Sequence, residues 1–284
     1  MDEQNLGRWR EQALEHAIPE AEIDKWLGLA RPHLTLYRAQ NDPAAAAVPG
    51  TDAPVVGYRG GRPSLPPEVE WPGESDFVAA IDCAALPRDL PGFLLPANGH
   101  LLFFHFGHGE QPSFVGCDGR VSYVPAGTAA VERPRTHSAD MFDEAVRQGV
   151  EPERFPLQCW QHWDPPNLEC HGEFGFGPPD RFIELMPKGF LDLVMVLEDP
   201  RPAYVRDNET LVLGGYCRTE SDACARAEYA DPEHRKWRLL ASTVRSVYDG
   251  REGVPHLVHW IIREDDLAAQ NFEDVQTHTV CLWA

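Results

Sequence analysis

Four residues in one proline-rich stretch, Cys159, His162, Cys170 and His171, belong to the types that bind zinc, because thiolate and imidazole are its preferred ligands. Cys159 and His162 are spaced Cys-x-x-His, a usable chelating step. With all four positions filled such a site would be structural, whereas three protein ligands and a water would be catalytic. Adjacent Cys170 and His171 point in different directions in extended chain, so both reach one ion only through a tight turn. The reading adopted is therefore buried thiols and surface histidines in an ordered loop, with no metal and no cofactor expected. The same stretch carries Trp160, Trp163, Phe174 and Phe176 beside Asp164 and Glu173, and apolar walls with a few polar groups are the composition of a pocket. Trp71, presented on the stiff segment Trp71-Pro72, is a fifth aromatic candidate for binding.

Other chemistry-bearing groups have plainer explanations. His105 and His108 follow an apolar run, with His100 before it, and residues three apart in a strand face opposite sides. They read as hydrogen-bonded structural histidines, as do His256 and His259. Gly172, Gly175 and Gly177 neither follow a strand nor open a helix, so no dinucleotide or phosphate loop is supported. A Gly-x-Ser-x-Gly elbow is absent. Glu264, Asp265 and Asp266 suit a helix start, where acidic groups favour the dipole. No nucleophile is selected, and no catalytic residue is assigned.

These residues must be positioned by a chain that reads as many short strands. At the centre, residues 56–106, Gly60 and Gly61 free the backbone while Pro63, Pro66 and Pro67 forbid a helix, which predicts a docking loop. Phe77 to Ile81 and Leu101 to Phe106 read as strands, the second apolar on both faces and so central in a sheet. Before them, residues 3–17 and 19–30 show helical spacing and predict an N-terminal helical pair, followed by a strand from His33 to Arg38. After them come short strands at 121–125 and 129–132, a helix capped by Ser138, and an irregular but ordered loop layer over 151–180. Strands at 182–186 and 191–197, a helix from Thr219 through Tyr229, strands at 237–244 and 255–262, a short helix at 265–270 and a last strand at 275–283 complete the pattern. No regular βαβ alternation appears, so the predicted class is α+β, mainly antiparallel, with inserted helices. The predicted division is a helical segment at 1–38, a linker at 39–55 and an α+β domain at 56–284.

Composition limits the partners. The 284 residues carry a formal charge of −20, which repels a phosphate backbone, and no basic patch offsets it. A basic protein partner or a small molecule fits; nucleic acid does not. Seven irregularly spaced cysteines and an opening, MDEQNLGRWREQ, without an apolar signal core suit a reducing cytoplasm. The apolar runs fall short of the roughly twenty residues that cross a bilayer, so no membrane contact is expected. Few lysines among many arginines, with abundant Ala, Gly and Pro, carry the coding bias of a high-GC bacterium.

Gly60-Gly61-Arg62-Pro63-Ser64-Leu65-Pro66 followed by Trp71-Pro72, then Ile81-Asp82, Pro96-x-x-Gly99 before Phe103-Phe104, Leu213-Gly214-Gly215-Tyr216, and Asp266-Leu267 with Phe272 stand in a recognisable order. From about residue 55 to the C-terminus this resembles the YwqG-like family of uncharacterised bacterial proteins. The resemblance implies a compact α+β domain and no particular reaction. The chain departs from the family pattern at Ala80, where a glutamine is usual, and in the region after Gly215, which carries Asp222 and Cys224 where the family pattern implies another glutamine. Two functions stay open: an acidic binding or protein-interaction protein, immunity-like or regulatory, or a tailoring enzyme acting on a small molecule or peptide.

Overall fold

A computed structural model describes residues 3–28, 30–38, 53–73, 75–88, 94–105, 119–134, 153–164, 209–217, 223–233, 235–248 and 253–281. Twelve strands run through these residues: β1 (Arg31–Arg38), β2 (Val55–Arg59), β3 (Ser64–Leu65), β4 (Asp76–Asp82), β5 (His100–His105), β6 (Arg120–Val124), β7 (Val131–Glu132), β8 (Phe155–Asp164), β9 (Glu209–Gly214), β10 (Trp237–Tyr248), β11 (Gly253–Arg263) and β12 (Gln276–Cys281). Four α-helices accompany them: α1 (Glu3–Glu15), α2 (Glu20–Leu27), α3 (Ala223–Ala230) and α4 (Glu264–Ala268).

Ten strands make one antiparallel sheet in the order β12-β11-β10-β9-β1-β8-β2-β4-β5-β6, while β3 and β7 pair separately. The architecture is therefore mostly antiparallel sheet with few helices. The sheet curls until its two ends meet, giving a nearly closed barrel. Across the seam the Trp260 indole N–H donates to the Phe104 carbonyl at 3.0 Å, and His105 Nε2 lies 3.0 Å from Thr279 Oγ1. A Cβ added to Gly119, beside β6, would stand 2.2 Å from Thr277 Oγ1 on β12, so the seam is tight there.

Alternation fills the barrel. Leu34 and Leu36, Leu101 and Phe103, Leu211 and Leu213, and Val258 and Trp260 are all buried in one apolar cluster, two positions apart on their strands. One mouth is polar: Arg59 on β2 reaches the Thr210 carbonyl and, at 2.9 Å, the Thr243 hydroxyl on strands β9 and β10. Near the other end, Trp9, Ala13, Ile18 and Ile23 of the helical segment form their own buried cluster, against which Trp163 of β8 packs. On the outer face, α3 covers Trp237, Leu239 and Ile261 through Ala223 and Ala227.

Two expectations need correction. The stretch 151–180 is not irregular throughout, because Phe155–Asp164 is a ten-residue strand lying between β1 and β2. Its Leu157 and Cys159 face the core while Gln158, Trp160 and His162 face outward, a period of two that prolines and aromatics conceal. Nor do strands begin only at Phe77 in the central region: Val55–Arg59, where none is predicted, pairs with both β4 and β8. The chain turns only at Gly60 and Gly61, with φ of 69° and 65°. The expected helix at 138, the strands at 182–186 and 191–197 and the segment 39–52 lie outside the described residues.

Candidate functional site

The outer face of β1 and β8 carries a row of polar side chains, His33, Thr35 and His162 buried and Asp164 partly exposed. Antiparallel register sets His33 opposite His162 and Arg31 opposite Asp164, so His33, Thr35, His162 and Asp164 meet on one face. The two imidazole rings lie with centroids 4.1 Å apart. Thr35 Oγ1 stands 3.1 Å from His162 Nε2 and 3.4 Å from His33 Nε2, and His33 Nδ1 is 3.7 Å from Asp164 Oδ2. Asp164 Oδ2 also accepts the Tyr216 backbone N–H at 2.7 Å, just after the Gly214-Gly215 turn. That turn is glycine by necessity: a Cβ on Gly215, whose φ is 75°, would fall 2.5 Å from Asp164 Oδ2.

Asp164, His33 and Thr35 have the order of an acid-histidine-hydroxyl relay, but the distances do not make one. His162 Nδ1 faces the Trp163 carbonyl at 3.2 Å, which places its proton there and leaves Nε2 as acceptor. Thr35 Oγ1 lies nearer His162 Nε2 than His33 Nε2, and His33 Nδ1 stands 3.7 Å from the carboxylate, beyond hydrogen-bond reach. The hydroxyl therefore sits closer to the histidine away from the acid, unlike an activated nucleophile. Thr35 is also fully buried, at 0% exposure.

Burial by itself would raise the Asp164 pKa. The His33 ring, the Tyr216 N–H and the more distant His162 outweigh it and hold the carboxyl below its ordinary value. Its contribution to stability is therefore complete above the unfolded-state pKa of about 4 and disappears as pH falls through the lower folded value. Asp164→Asn should lower stability at pH 7 by about 2 kcal/mol, the worth of a charge-assisted hydrogen bond. Urea midpoints measured from pH 7 down to pH 2 should show wild type and variant converging in acid; parallel curves would reject the assignment.

A second feature is open to solvent. A cleft of about 510 Å³ lies on the outer face where β2, β4, β5 and the start of β8 meet. Val55, Gly57, Ala80 and Pro156 make an apolar floor, with Tyr58 and Arg154 on one side and Asp82 and His100 on the other. The Arg154 guanidinium lies 3.7 Å over the Tyr58 ring and pairs with Glu132 at 2.9 Å, which fixes its orientation and largely balances its charge. Burial keeps the Tyr58 hydroxyl protonated, against the pull of Arg154, and it donates to the Arg62 carbonyl at 3.2 Å. Asp82 Oδ1 accepts the Ala84 N–H at 2.9 Å and stands beside the exposed His100, its register partner. An apolar floor between oriented polar groups can hold an amphipathic ligand.

The residues singled out in the sequence are dispersed. Cys159 faces the barrel core, where burial pushes its thiol up to about 12, and His162 faces outward to Thr35, so the two do not share a site. Trp160 stands opposite Thr35 on the outer face, with a buried Nε1 that has no hydrogen-bond partner among the described residues. Trp163 packs against the helical cluster. Trp71 meets Phe104 edge-on at 5.5 Å and donates its indole N–H to the Ser75 carbonyl at 2.8 Å, so its loop folds back on its own sheet. Phe174, Phe176, Cys170 and His171 lie outside the described residues. Among the described residues no group of three or more His, Cys, Asp or Glu is placed to hold a metal. His33, Thr35, Tyr58 and Arg154 were missed, since each acquires its role only through pairing with distant strands.

Fold and cleft together define a barrel-like antiparallel domain with a surface site on its outer wall. The sequence matches, over residues 59–281, the family described as Domain of unknown function (DUF1963), and the chain belongs to that family. No curated protein matches the chain. Among the described residues no helix is long and apolar enough to cross a membrane.

Proposed function

We propose that this DUF1963 member is a YwqG-like bacterial protein of the cytoplasm, of α+β type, that binds a partner rather than transforming a substrate. The observation that carries this reading is the open cleft, with its apolar floor between Arg154 and the Asp82 and His100 pair. A small molecule or a peptide segment fits it, laying an apolar part over Ala80 and Pro156 and a polar group against either side. The net charge of −20 favours a basic protein as the source of such a segment, in an immunity-like or regulatory role, and disfavours nucleic acid. The tailoring-enzyme reading would draw on the Asp164, His33 and Thr35 row. It is the weaker one, because the Thr35 hydroxyl is fully buried and lies nearer His162 than the His33 ring beside the acid.

A photo-crosslinking residue placed at His100, in the cleft, and separately at Leu14, exposed on α1, tests the reading in cells of the native host. A covalent adduct of defined mass is expected at position 100 alone, and Arg154→Glu should reduce its yield severalfold. No adduct, or equal labelling at both positions, would overturn the cleft as the binding site.

A further inference from the structure

Cys217 follows the Gly214-Gly215 turn at the end of β9, and Cys224 lies in the first turn of α3. Their sulfurs are 3.3 Å apart, although the residues are seven positions apart in the chain. A disulfide needs about 2.05 Å between sulfurs, so the thiols have only about 1 Å left to close. The two environments differ. Cys217 is 6% exposed and packs with Ala223, Ala227 and Trp237, whereas Cys224 is partly open to solvent. Cys224 also lies among the leading amide N–H groups of an eight-residue helix, which favour negative charge. Elsewhere, burial pushes the Cys83 and Cys159 thiols up to about 12, so neither of those two offers a thiolate.

We propose that Cys217 and Cys224 form a dithiol modification site that hydrogen peroxide oxidises to an intramolecular disulfide. The Cys224 thiolate attacks one peroxide oxygen. An S–O bond forms, the O–O bond breaks, and the other oxygen takes up a proton and leaves as water. The Cys217 thiol then attacks the sulfenic sulfur; the S–S bond forms, the S–O bond breaks, and the departing hydroxyl leaves as a second water with the Cys217 proton. The two thiols lose two electrons and the peroxide gains them. Exposure selects Cys224 as the attacking sulfur and proximity selects Cys217 as the resolving one.

The bond would tie the end of β9 to the start of α3. The chain just beyond α3 is already fixed, through Asp231 Oδ2 and the Arg263 guanidinium at 3.3 Å, and Tyr216, beside Cys217, is held by Asp164. Oxidation therefore restrains the helix at its remaining end, and it does so independently of what binds the cleft.

The full-length chain is reduced, desalted, treated with hydrogen peroxide, alkylated with iodoacetamide and digested without reductant for mass spectrometry. The expected result is a linked Cys217 and Cys224 peptide pair that has lost two hydrogens and is restored by dithiothreitol, with Cys83 and Cys159 still thiols. Amide exchange in α3 should slow on oxidation. Cys217→Ser should halt Cys224 at the sulfenic acid, captured by a 1,3-diketone, and Cys224→Ser should leave Cys217 unoxidised. Alkylation of both thiols after peroxide in the wild type overturns the proposal, and that measurement needs no variant to fold. A sulfenic acid persisting at Cys224 in the wild type, or appearing at Cys217 in Cys224→Ser, would overturn the assigned roles.

Discussion

Trp260→Ala is expected to destabilise the protein by about 4 kcal/mol, read from urea denaturation, because a fully buried aromatic is lost and a cavity remains. Trp260 has 0% exposure and meets Phe103 edge-on at 5.3 Å, with rings inclined at 70°. It also bridges the barrel seam, since its indole N–H satisfies the Phe104 carbonyl on the opposite end of the sheet. Volume and hydrogen bond separate in Trp260→Phe, which keeps most of the packing and should lose only about 1–2 kcal/mol for the unsatisfied carbonyl. A Trp260→Ala cost below about 1 kcal/mol would mean that the interior is not the closed core described here, because surface substitutions alone stay near that size.

The strands that announced themselves are those rich in apolar, aromatic or β-branched residues. β4, β5, β6, β10, β11 and β12 each appear close to where alternation or full apolarity predicts them, since burial of Leu101 to Phe104 and of Leu257 to Ile262 requires those residue types. β8 was hidden because Pro156 and three large aromatics resemble loop chemistry, and because Cys159 and His162 invited a chelate that extended geometry forbids: residues three apart on a strand face opposite ways. β2 was hidden by the glycines after it. The polar row on β1 and β8 was illegible for a different reason. His33 and Thr35 meet His162 and Asp164 through a register between strands more than a hundred positions apart, and no local spacing encodes such a register. The cleft is the same kind of object, assembled from β2, the β4 and β5 pair, and the residue before β8.

Register is also what makes the cleft floor intolerant of change. Gly57→Ala is expected to cost about 3 kcal/mol in urea denaturation, the scale of forced overpacking. An ideal Cβ at position 57 would stand 2.2 Å from the Ala80 carbonyl oxygen and 3.0 Å from Ile81 Cα. Both are backbone atoms of β4, so no side-chain rotation can relieve the contact. The pairing of Gly57 with Ile81 and with Leu157 must instead yield, at the point where β2 already carries a bulge against β8. Ala80→Gly supplies the discriminating control. If the clash were with the Ala80 side chain, the double variant would recover stability; because it is with the carbonyl, the two costs should add. The same substitution should also diminish crosslinking from position 100, since the floor between Ala80 and Pro156 would be displaced. A Gly57→Ala variant within about 0.5 kcal/mol of wild type, the range of neutral surface changes, would show that β2 and β4 are not this close.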